Sequence, residues 1–598
     1  MTKLKPDTLS YRKLSYEDIG LWKNGSELLA TVWAPFAKKV EIKIDDQKLM
    51  ELRRNDYGIW EGSSTFREEY KEYSVILNGR ERLPDPASKY LVNGVYGYST
   101  IVDLDFKNNL DTGINIDLKN AVIYELHTGT FSEKGNFAGI KEKLDYLEKL
   151  GINVIELMPI AQFEGRRNWG YDGVFPYAVQ NSYGSISELI KLVKDVHSRG
   201  ISIILDVVYN HAGPRGNVLN SFGPYFSDKY KSPWGNAMNF DGQWSDYVRN
   251  FYIQNAVYWL DFFGFDGLRL DAIHGIYDNS PTHFLKELRT DVNRYFENSN
   301  KKPILIAESD ANNPLTISSI DQCGFGMDAQ WCDDFHHSIH SYLTGEGQGY
   351  YSDYGHSWQI LKAMESGFVY RGEYSMFLKR TRGVRGKQIS PSKLIVFSQN
   401  HDQVGNRKNS DRNGSYYGKE KSLLFGAICL LSPYVPMIFM GEEFFSKDHF
   451  WFFIDTDDAT FADIVRKGRN EEFSYFTSKV EIPAPNSYEA FHESQLSWGA
   501  LNNKENLEYL RVYQQLIAIR KKYKLGYGVR FETTLIGEIL NINYFIDKNS
   551  KLLCFFNLSG KSVNINHIKG DVIVSSTDNT LSNSKIEAYG FRVVFCCN

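Results

Sequence analysis

The sequence feature that most constrains this chain is a repeated alternation of short apolar runs with longer amphipathic segments. Between about residues 119 and 440 there are eight apolar runs, and most are followed by a segment with the length and periodicity of a helix. The runs are AVIYELH, INVIELMPI, ISIILDVVYNH, FDGLRLDAI, PILIAESD, GMDAQW, KLIVFSQNHD and VPMIFMGEE. Eight parallel strands with helical crossovers are the pattern of a (β/α)8 TIM barrel, an α/β fold. We therefore predict such a barrel over residues 106–527.

Both ends of the chain have a different pattern. From about residue 25 to 105, short β-branched and aromatic segments alternate with turn residues, which predicts an N-terminal β-sandwich over residues 1–105 that resembles a carbohydrate-binding domain. After residue 527 the chain returns to short alternating segments, which predicts a C-terminal all-β domain over residues 528–598. The sequence leaves open whether the N-terminal domain extends a cleft or binds glucan.

Composition excludes several classes of function. The chain has 68 Lys and Arg against 73 Asp and Glu, without long runs of one sign, so we expect no nucleic-acid partner and no membrane partner. The N-terminus has no apolar signal core, and the most apolar stretch, at 423–440, contains prolines that favour a buried helix followed by a buried strand. The six cysteines include no C-x-x-C pair, which fits a reducing compartment. We expect a cytoplasmic protein.

Charged side chains occur where the predicted strands end, and barrel enzymes build their sites at those ends. The third run ends at Asp206, the fourth carries Arg269 and Asp271, the fifth ends at Glu308 and the seventh at Asp402. Each of them alone could cap a helix or begin a turn. Together they indicate a site, because buried charges at successive strand ends are costly unless they are paired.

Glycoside hydrolysis with retention needs a set of this kind. One carboxylate attacks the anomeric carbon, and a second, protonated carboxyl about 5 to 5.5 Å away protonates the leaving oxygen. Arg269 precedes Asp271 by two residues, so the two share a face of the strand, and the arginine would keep the aspartate ionised. A third carboxylate would stabilise an oxocarbenium-like transition state.

Four motifs at these positions resemble the α-amylase superfamily, glycoside hydrolase family 13. They are DVVYNH at 206–211, GLRLDAIH at 267–274, IAESD at 306–310 and FSQNHD at 397–402. The resemblance implies that Asp271 is the nucleophile, Glu308 the general acid and base, and Asp402 the transition-state stabiliser. It implies no cofactor and no required metal.

The same resemblance implies the residues that bind the substrate. Tyr171, in WGYDGVFPY, would stack against the sugar at the cleavage point, while Asp206 would support the site rather than touch the sugar. The other expected sugar-binding residues there are Arg269, His211, His274 and His401. The expected contacts beyond the cleaved bond are Trp234, Asp333 and Asp334; Trp234 has the alternative role of a loop-packing aromatic.

Finer motifs select a branch of the superfamily. An N-terminal sandwich with WGYDGVFPY and FMGEEF resembles the branch that holds glycogen branching enzymes, isoamylase-type debranchers and malto-oligosyltrehalose trehalohydrolases. The segments AESDANNP, DDFHHSIHSYLTGEGQGYY and NHDQVGNR are similar to the trehalohydrolases. The resemblance implies hydrolysis of the α-1,4 bond next to the terminal trehalose of a malto-oligosyltrehalose substrate, which releases trehalose.

Three alternatives stay open on sequence alone. A branching enzyme would use the same three carboxyl groups but pass the sugar to another sugar hydroxyl. A metal-dependent hydrolase would use His336, His337 and His340, which are spaced to share a helix face, although no H-E-x-x-H motif accompanies them. A non-catalytic sugar-binding barrel would be expected to lack some of the strand-end carboxylates.

Overall fold

The structure is a computed structural model of the whole chain, and its described residues leave out several short segments. The described residues are 13–45, 48–80, 82–109, 113–386, 389–407, 409–472, 482–565, 570–576 and 585–597. The first residues of the N-terminus, which entered the argument against a signal sequence, lie outside them. No helix among the described residues is both long and apolar enough to cross a membrane.

The predicted barrel is confirmed. Eight parallel strands pair in sequence order, and the last pairs with the first, so the sheet closes. All eight coincide with the predicted apolar runs: β1 (Ile123–Leu126), β2 (Val154–Leu157), β3 (Ser202–Val207), β4 (Gly267–Leu270), β5 (Ile304–Ala307), β6 (Ala329–Trp331), β7 (Leu394–Phe397) and β8 (Val435–Phe439). They are predominantly apolar because strands covered by helices are buried on both faces.

Helices connect and cover the strands. They are α1 (Phe137–Lys141), α2 (Leu144–Leu150), α3 (Ile186–His197), α4 (Leu219–Phe222), α5 (Ser245–Asp261), α6 (Phe284–Tyr295), α7 (Asp333–Thr344), α8 (Ser357–Ser366), α9 (His401–Gly405), α10 (Asn413–Tyr417), α11 (Lys419–Leu431), α12 (Ala459–Glu472), α13 (Tyr488–His492) and α14 (Lys504–Lys522). The apolar stretch at 423–440 is the buried helix α11 followed by the buried strand β8, as predicted.

Two sheets precede the barrel. The first joins, in spatial order, Val102–Asp103, Gly20–Asn24, Glu27–Trp33, Ile59–Thr65 and Arg53–Arg54. The second joins Lys48–Glu51, Val40–Ile44, Glu72–Leu77 and Arg82–Leu83, with Ser99–Thr100 paired to Glu72–Leu77. Their buried residues are continuous with the barrel core, because Trp33 stacks on Tyr247 of α5 with ring centroids 4.4 Å apart.

An antiparallel sheet follows α14. Its strands, in spatial order, are Phe531–Ile536, Ile539–Phe545, Ser550–Asn557, Phe591–Cys597 and Asp571–Ser575. A separate pair joins Val563–Asn564 with Lys585–Ile586. The Tyr544 hydroxyl donates to the Leu431 carbonyl at 2.7 Å, which fixes this sheet against the end of α11. The all-β C-terminal region is confirmed.

The loops at the C-terminal ends of the barrel strands carry three short hairpins. They pair Ala161–Gln162 with Phe175–Val179, Phe226–Ser232 with Gly235–Met238, and Glu373–Ser375 with Arg380–Arg382. These loops form the walls of the site described next.

Candidate active site

Three carboxyl groups surround the guanidinium of Arg269 at the C-terminal mouth of the barrel. Arg269 lies on β4 and is fully buried. Its Nη1 donates to Asp206 Oδ2 at 2.7 Å and to Asp271 Oδ1 at 3.0 Å. Its Nη2 lies 2.7 Å from Glu308 Oε2. One cation therefore holds together the side chains that end β3, β4 and β5.

The surroundings shift the pKa values of Asp271 and Glu308 in opposite directions. Burial would raise the pKa of Asp271, but Arg269 and neighbouring donors outweigh burial, so the pKa is lowered. Burial raises the pKa of Glu308 well above its usual range, and the negative charges of Asp271 and Asp402 add to this against the attraction of Arg269. One group is thus suited to act as an anion and the other as a proton donor.

Asp402 comes from a helix rather than from a strand. β7 ends at Phe397, and Asp402 lies in the first turn of α9, where Asn406 Nδ2 donates to it at 2.9 Å. From the sequence we predicted Asp402 at the end of the strand itself, whereas it lies in the helix that follows the strand. Its side chain is 33% exposed, which leaves the carboxylate accessible from the cleft.

His401 carries a positive charge next to Asp402. Its Nδ1 lies 2.5 Å from Glu125 Oε1, and its Nε2 lies 3.5 Å from Asp402 Oδ1. Burial alone would lower the pKa of His401, but Asp402 and Glu125 raise it to about 9. The ring is therefore an imidazolium at neutral pH and can donate hydrogen bonds from both nitrogens.

An aromatic platform faces these charges. The ring of Tyr171 stacks on His401 with centroids 5.1 Å apart, and its hydroxyl donates to Asp206 Oδ2 at 2.6 Å. His211 Nε2 lies 3.0 Å from the Tyr171 carbonyl oxygen. Burial lowers the pKa of His211, although Asp271 opposes this. The structure thus brings Tyr171, His211 and His401 to the carboxyl groups.

Trp234 and His274 lie at the rim of the site. Trp234 sits in the turn of the hairpin after β3, is 47% exposed, and stacks on His211 with centroids 5.0 Å apart. His274 is exposed, and its ring centroid lies 6.5 Å from that of Trp234. An exposed ring that lies against a site residue is suited to a sugar face. Contact of both side chains with sugar stays a prediction.

A cavity of about 300 Å³ opens beside Glu308 and Asp402. The loops after β5, β6 and β7 line it, and Asp333 and Arg382 contribute their side chains. Burial raises the pKa of Asp333 to about 7, and nearby Asp310 adds to that shift. Asp333 therefore lines the same cavity as Glu308, and its contact with sugar stays a prediction.

Asp334 lies behind this cavity. It is fully buried, and its Oδ2 accepts the backbone N–H groups of Val369 and Tyr370 at 2.6 and 2.8 Å. Its Oδ1 accepts the Tyr354 hydroxyl at 2.6 Å and lies 3.0 Å from Arg382 Nη2. The structure does not bring Asp334 to the cavity, because both oxygens are already occupied. We assign it to holding Arg382 in place.

The three histidines of α7 are packed among aromatic rings. His336 stacks on His340 with centroids 5.1 Å apart, and His337 stacks on Tyr350 at 5.0 Å. His340 Nε2 lies 2.7 Å from Glu346 Oε2. Among the described residues, no group of three or more His, Cys, Asp or Glu side chains is arranged to hold a metal ion.

Glu125, Asn210 and Trp331 also belong to the site, although the sequence did not single them out. Asn210 Nδ2 donates to Asp271 Oδ2 at 2.8 Å, and the Trp331 ring centroid lies 4.2 Å from the Arg269 guanidinium. Glu125 and Glu156 are paired in register on β1 and β2. The sequence signal for these two glutamates is that each is a charged residue inside an otherwise apolar run, AVIYELH for Glu125 and INVIELMPI for Glu156.

Comparison with known proteins agrees with this geometry. Residues 104–232 match the family model for the alpha amylase catalytic domain. A solved structure from Salmonella typhimurium, described provisionally as an alpha amylase, superposes with a TM-score of 0.87 at 31% identity and covers 97% of this chain and 99% of that one. The closed barrel, its carboxyl groups and these matches make the chain a glycosidase of the α-amylase class.

The curated relatives identify the family more closely. The malto-oligosyltrehalose trehalohydrolase of Saccharolobus solfataricus is 42% identical over 93% of this chain and 96% of that protein. The trehalohydrolase of Arthrobacter ramosus is 36% identical over 82% of this chain and 86% of that protein. The chain belongs to the malto-oligosyltrehalose trehalohydrolase family. A 1,4-alpha-glucan branching enzyme of Bacillus subtilis is more distant, at 29% identity over 71% of this chain.

Proposed function

We propose that this protein hydrolyses the α-1,4 bond next to the terminal trehalose of a malto-oligosyltrehalose and releases trehalose. The observation that carries the chemistry is the environment of the carboxyl pair around Arg269: Asp271 is favoured as an anion and Glu308 as a neutral acid. The family of relatives, named for this reaction, supports the choice of substrate.

In the first step, the Asp271 carboxylate attacks the anomeric carbon of the donor glucose. The Glu308 proton passes to the glycosidic oxygen as the bond to the leaving trehalose breaks. A covalent glycosyl-enzyme remains on Asp271. Binding of both carboxyl groups by one guanidinium supports the short separation that the retaining mechanism needs.

In the second step, water attacks the same carbon from the side that trehalose has left. Glu308, now a carboxylate, takes a proton from this water, and Asp271 is released as an anion. The sugar product keeps its α configuration because two inversions have occurred. The site then returns to its starting protonation state.

Asp402, His401 and Tyr171 act on the donor glucose without forming covalent bonds to it. The charge of Asp402 favours the oxocarbenium-like transition state. His401, held as an imidazolium by Glu125, donates from Nε2 to the Tyr171 hydroxyl at 2.9 Å and so orients this ring, which provides the surface on which the sugar lies. The leaving trehalose occupies the cavity beside Glu308, where Asp333 and Arg382 provide polar contacts.

A branching enzyme remains the second candidate, because a sugar hydroxyl can replace water in the second step. The two candidates differ in their products. Purified protein incubated with maltotriosyltrehalose should release trehalose and leave maltopentaose and amylose largely unchanged. A shift in the iodine staining of amylose without trehalose release would instead favour the branching reaction.

The metal-dependent alternative makes a separate prediction. It requires His336, His337 and His340 to share a metal, yet their rings stack on one another and on tyrosines. Activity that is lost on treatment with a chelator and returns with zinc would support it. Unchanged activity after chelation would count against it.

A further inference from the structure

We propose that a groove beside the N-terminal segment binds the distal, non-reducing part of the α-1,4-glucan donor chain. The groove has a volume of about 890 Å³, which is within the range of small-ligand sites. Its walls come from the segment between Tyr90 and Tyr96 and from the loops that follow β2, β3 and β8. None of its residues takes part in the reaction steps described above.

The groove and the smaller cavity lie on opposite halves of the barrel mouth. The loops after β8, β2 and β3 form the groove, whereas the loops after β5, β6 and β7 line the cavity beside Glu308. Arg166 precedes Tyr171 by five residues, and Arg215 follows His211 by four. The groove therefore begins on the side of the site where the Tyr171 platform lies.

The direction of the reaction decides which part of the substrate occupies each half. Glu308 must face the glycosidic oxygen of the leaving group, so trehalose lies in the cavity beside Glu308. The donor glucose lies on Tyr171, and the rest of the donor chain continues away from Glu308, toward the groove. The inference thus rests on the proposed function and extends it to the far end of the substrate.

The groove is built firmly onto the barrel. Asn181 Nδ2 donates to the Val92 carbonyl at 2.9 Å. Leu91 and Val95 are buried in a small apolar cluster with side chains of the loop after β2. On the opposite wall, the Arg166 N–H donates to Asp455 Oδ2 at 2.7 Å. The walls are therefore held in place before any ligand binds, which lowers the entropy cost of binding.

The chemistry of the groove suits a neutral polyol. Tyr96 is 65% exposed, and its hydroxyl donates to Glu164 Oε1 at 2.6 Å, which fixes the ring as a flat surface. Arg215 lies 3.5 Å from Glu164 and 3.0 Å from Asp458, so its charge is already balanced. The lining holds four carboxylates, of Glu164, Asp455, Asp457 and Asp458, against the guanidinium groups of Arg166 and Arg215, and Asp455 is also paired with Arg167. This balance does not favour an anion, whereas carboxylates and an aromatic face suit sugar hydroxyls and ring faces.

The test compares donors of different length with the full-length enzyme. Initial rates of trehalose release are measured for maltosyltrehalose, whose donor part is the shorter maltose, and for the longer maltohexaosyltrehalose. In Tyr96→Ala we expect KM for the long donor to rise by roughly 3- to 10-fold while kcat and both constants for the short donor stay unchanged. Equal constants for Tyr96→Ala and the unchanged enzyme on both donors would overturn the inference.

Two further variants separate sugar contact from support of the loop. Tyr96→Phe keeps the ring and loses only the bond to Glu164, so we expect it to match the unchanged enzyme; a loss as large as that of Tyr96→Ala would overturn sugar contact by the ring. Tyr527→Ala is the matched control, because Tyr527 is also exposed and donates to a carboxylate, Asp117, at 2.6 Å, and neither residue lines the groove. It should behave as the unchanged enzyme.

A second measurement keeps this inference separate from the proposed function. Binding of maltoheptaose is measured by calorimetry in the Tyr96→Ala and Tyr527→Ala variants, with no trehalose involved. Weaker maltoheptaose binding in Tyr96→Ala alone would support glucan binding in the groove. If the unchanged enzyme releases no trehalose from maltosyltrehalose, that failure would refute only the proposed reaction. Equal binding in both variants would overturn the groove.

Discussion

The ion pair between Glu125 and His401 predicts how activity depends on pH. His401 is fully buried against the Tyr171 ring, and Asp402 and Glu125 raise its pKa from 6.5 to about 9. The substitution Glu125→Gln keeps the size and the hydrogen-bonding oxygen of the side chain but removes its charge. Asp402 alone would then oppose burial and the charge of Arg269, and we expect the pKa of His401 to return to its ordinary value of 6.5.

The size of the effect follows from this shift. A pKa raised from 6.5 to about 9 corresponds to about 3 kcal/mol in favour of the imidazolium. Because the pKa of His401 is raised in the folded protein, the stabilisation of its imidazolium form is complete below the ordinary pKa of 6.5. It is lost as the pH rises through about 9. At about pH 7.5 almost all His401 is charged in the unchanged enzyme and about one-tenth in Glu125→Gln, so kcat/KM should fall roughly tenfold. At about pH 5.5 both forms are charged and the ratio should approach about one.

The assay is kcat/KM for trehalose release, measured across this pH range. The matched control is Glu156→Gln, on the neighbouring strand in register with Glu125. Burial raises the pKa of Glu156 well above its usual range, and its oxygens have no hydrogen-bond partner within the described part of the chain. Replacing this carboxyl group with the neutral amide of glutamine should therefore change kcat/KM little. A ratio between Glu125→Gln and the unchanged enzyme that stays constant with pH would refute the reasoning.

Three other predictions follow from the site. Asp271→Asn and Glu308→Gln should each lower kcat by roughly a thousandfold or more while the melting temperature changes little; near-normal turnover in either variant would remove its assigned role. The pH profile of the unchanged enzyme should be bell-shaped. The lowered pKa of Asp271 moves the acid limb to lower pH, and the raised pKa values of Glu308 and His401 move the alkaline limb to higher pH. A flat profile would contradict the roles of Asp271 and Glu308. Arg382→Leu should destabilise the protein by about 3 kcal/mol, because it leaves the buried carboxylate of Asp334 without its cation; an unchanged denaturation midpoint would argue against that support.

Much of the fold could be predicted because each barrel strand is encoded locally. A mostly apolar strand of three to six residues with a polar or charged residue near its end is visible in the sequence, and the barrel brings those ends to one mouth. Asp271 and Glu308 could be found in this way. Arg269 could be paired with Asp271 because residues two apart on a strand share a face.

The parts that could not be predicted depend on contacts between distant segments. Glu125 and His401 are 276 positions apart, so no local pattern connects them. Asp333 and Asp334 are adjacent in sequence, yet a turn of about 100° per helical residue points one toward the cavity and the other into the packing behind it. The sequence gives the residue types in such cases, and the direction of each side chain is set by the packing of α7.

The chemistry and the substrate can be tested together by proton NMR of the first products from maltotriosyltrehalose. We expect free trehalose and maltotriose to appear at the same rate, with the new reducing end of the maltotriose in the α configuration before it mutarotates. Formation of the β anomer first would contradict the roles of Asp271 and Glu308. Cleavage at other bonds without free trehalose would contradict the proposed substrate.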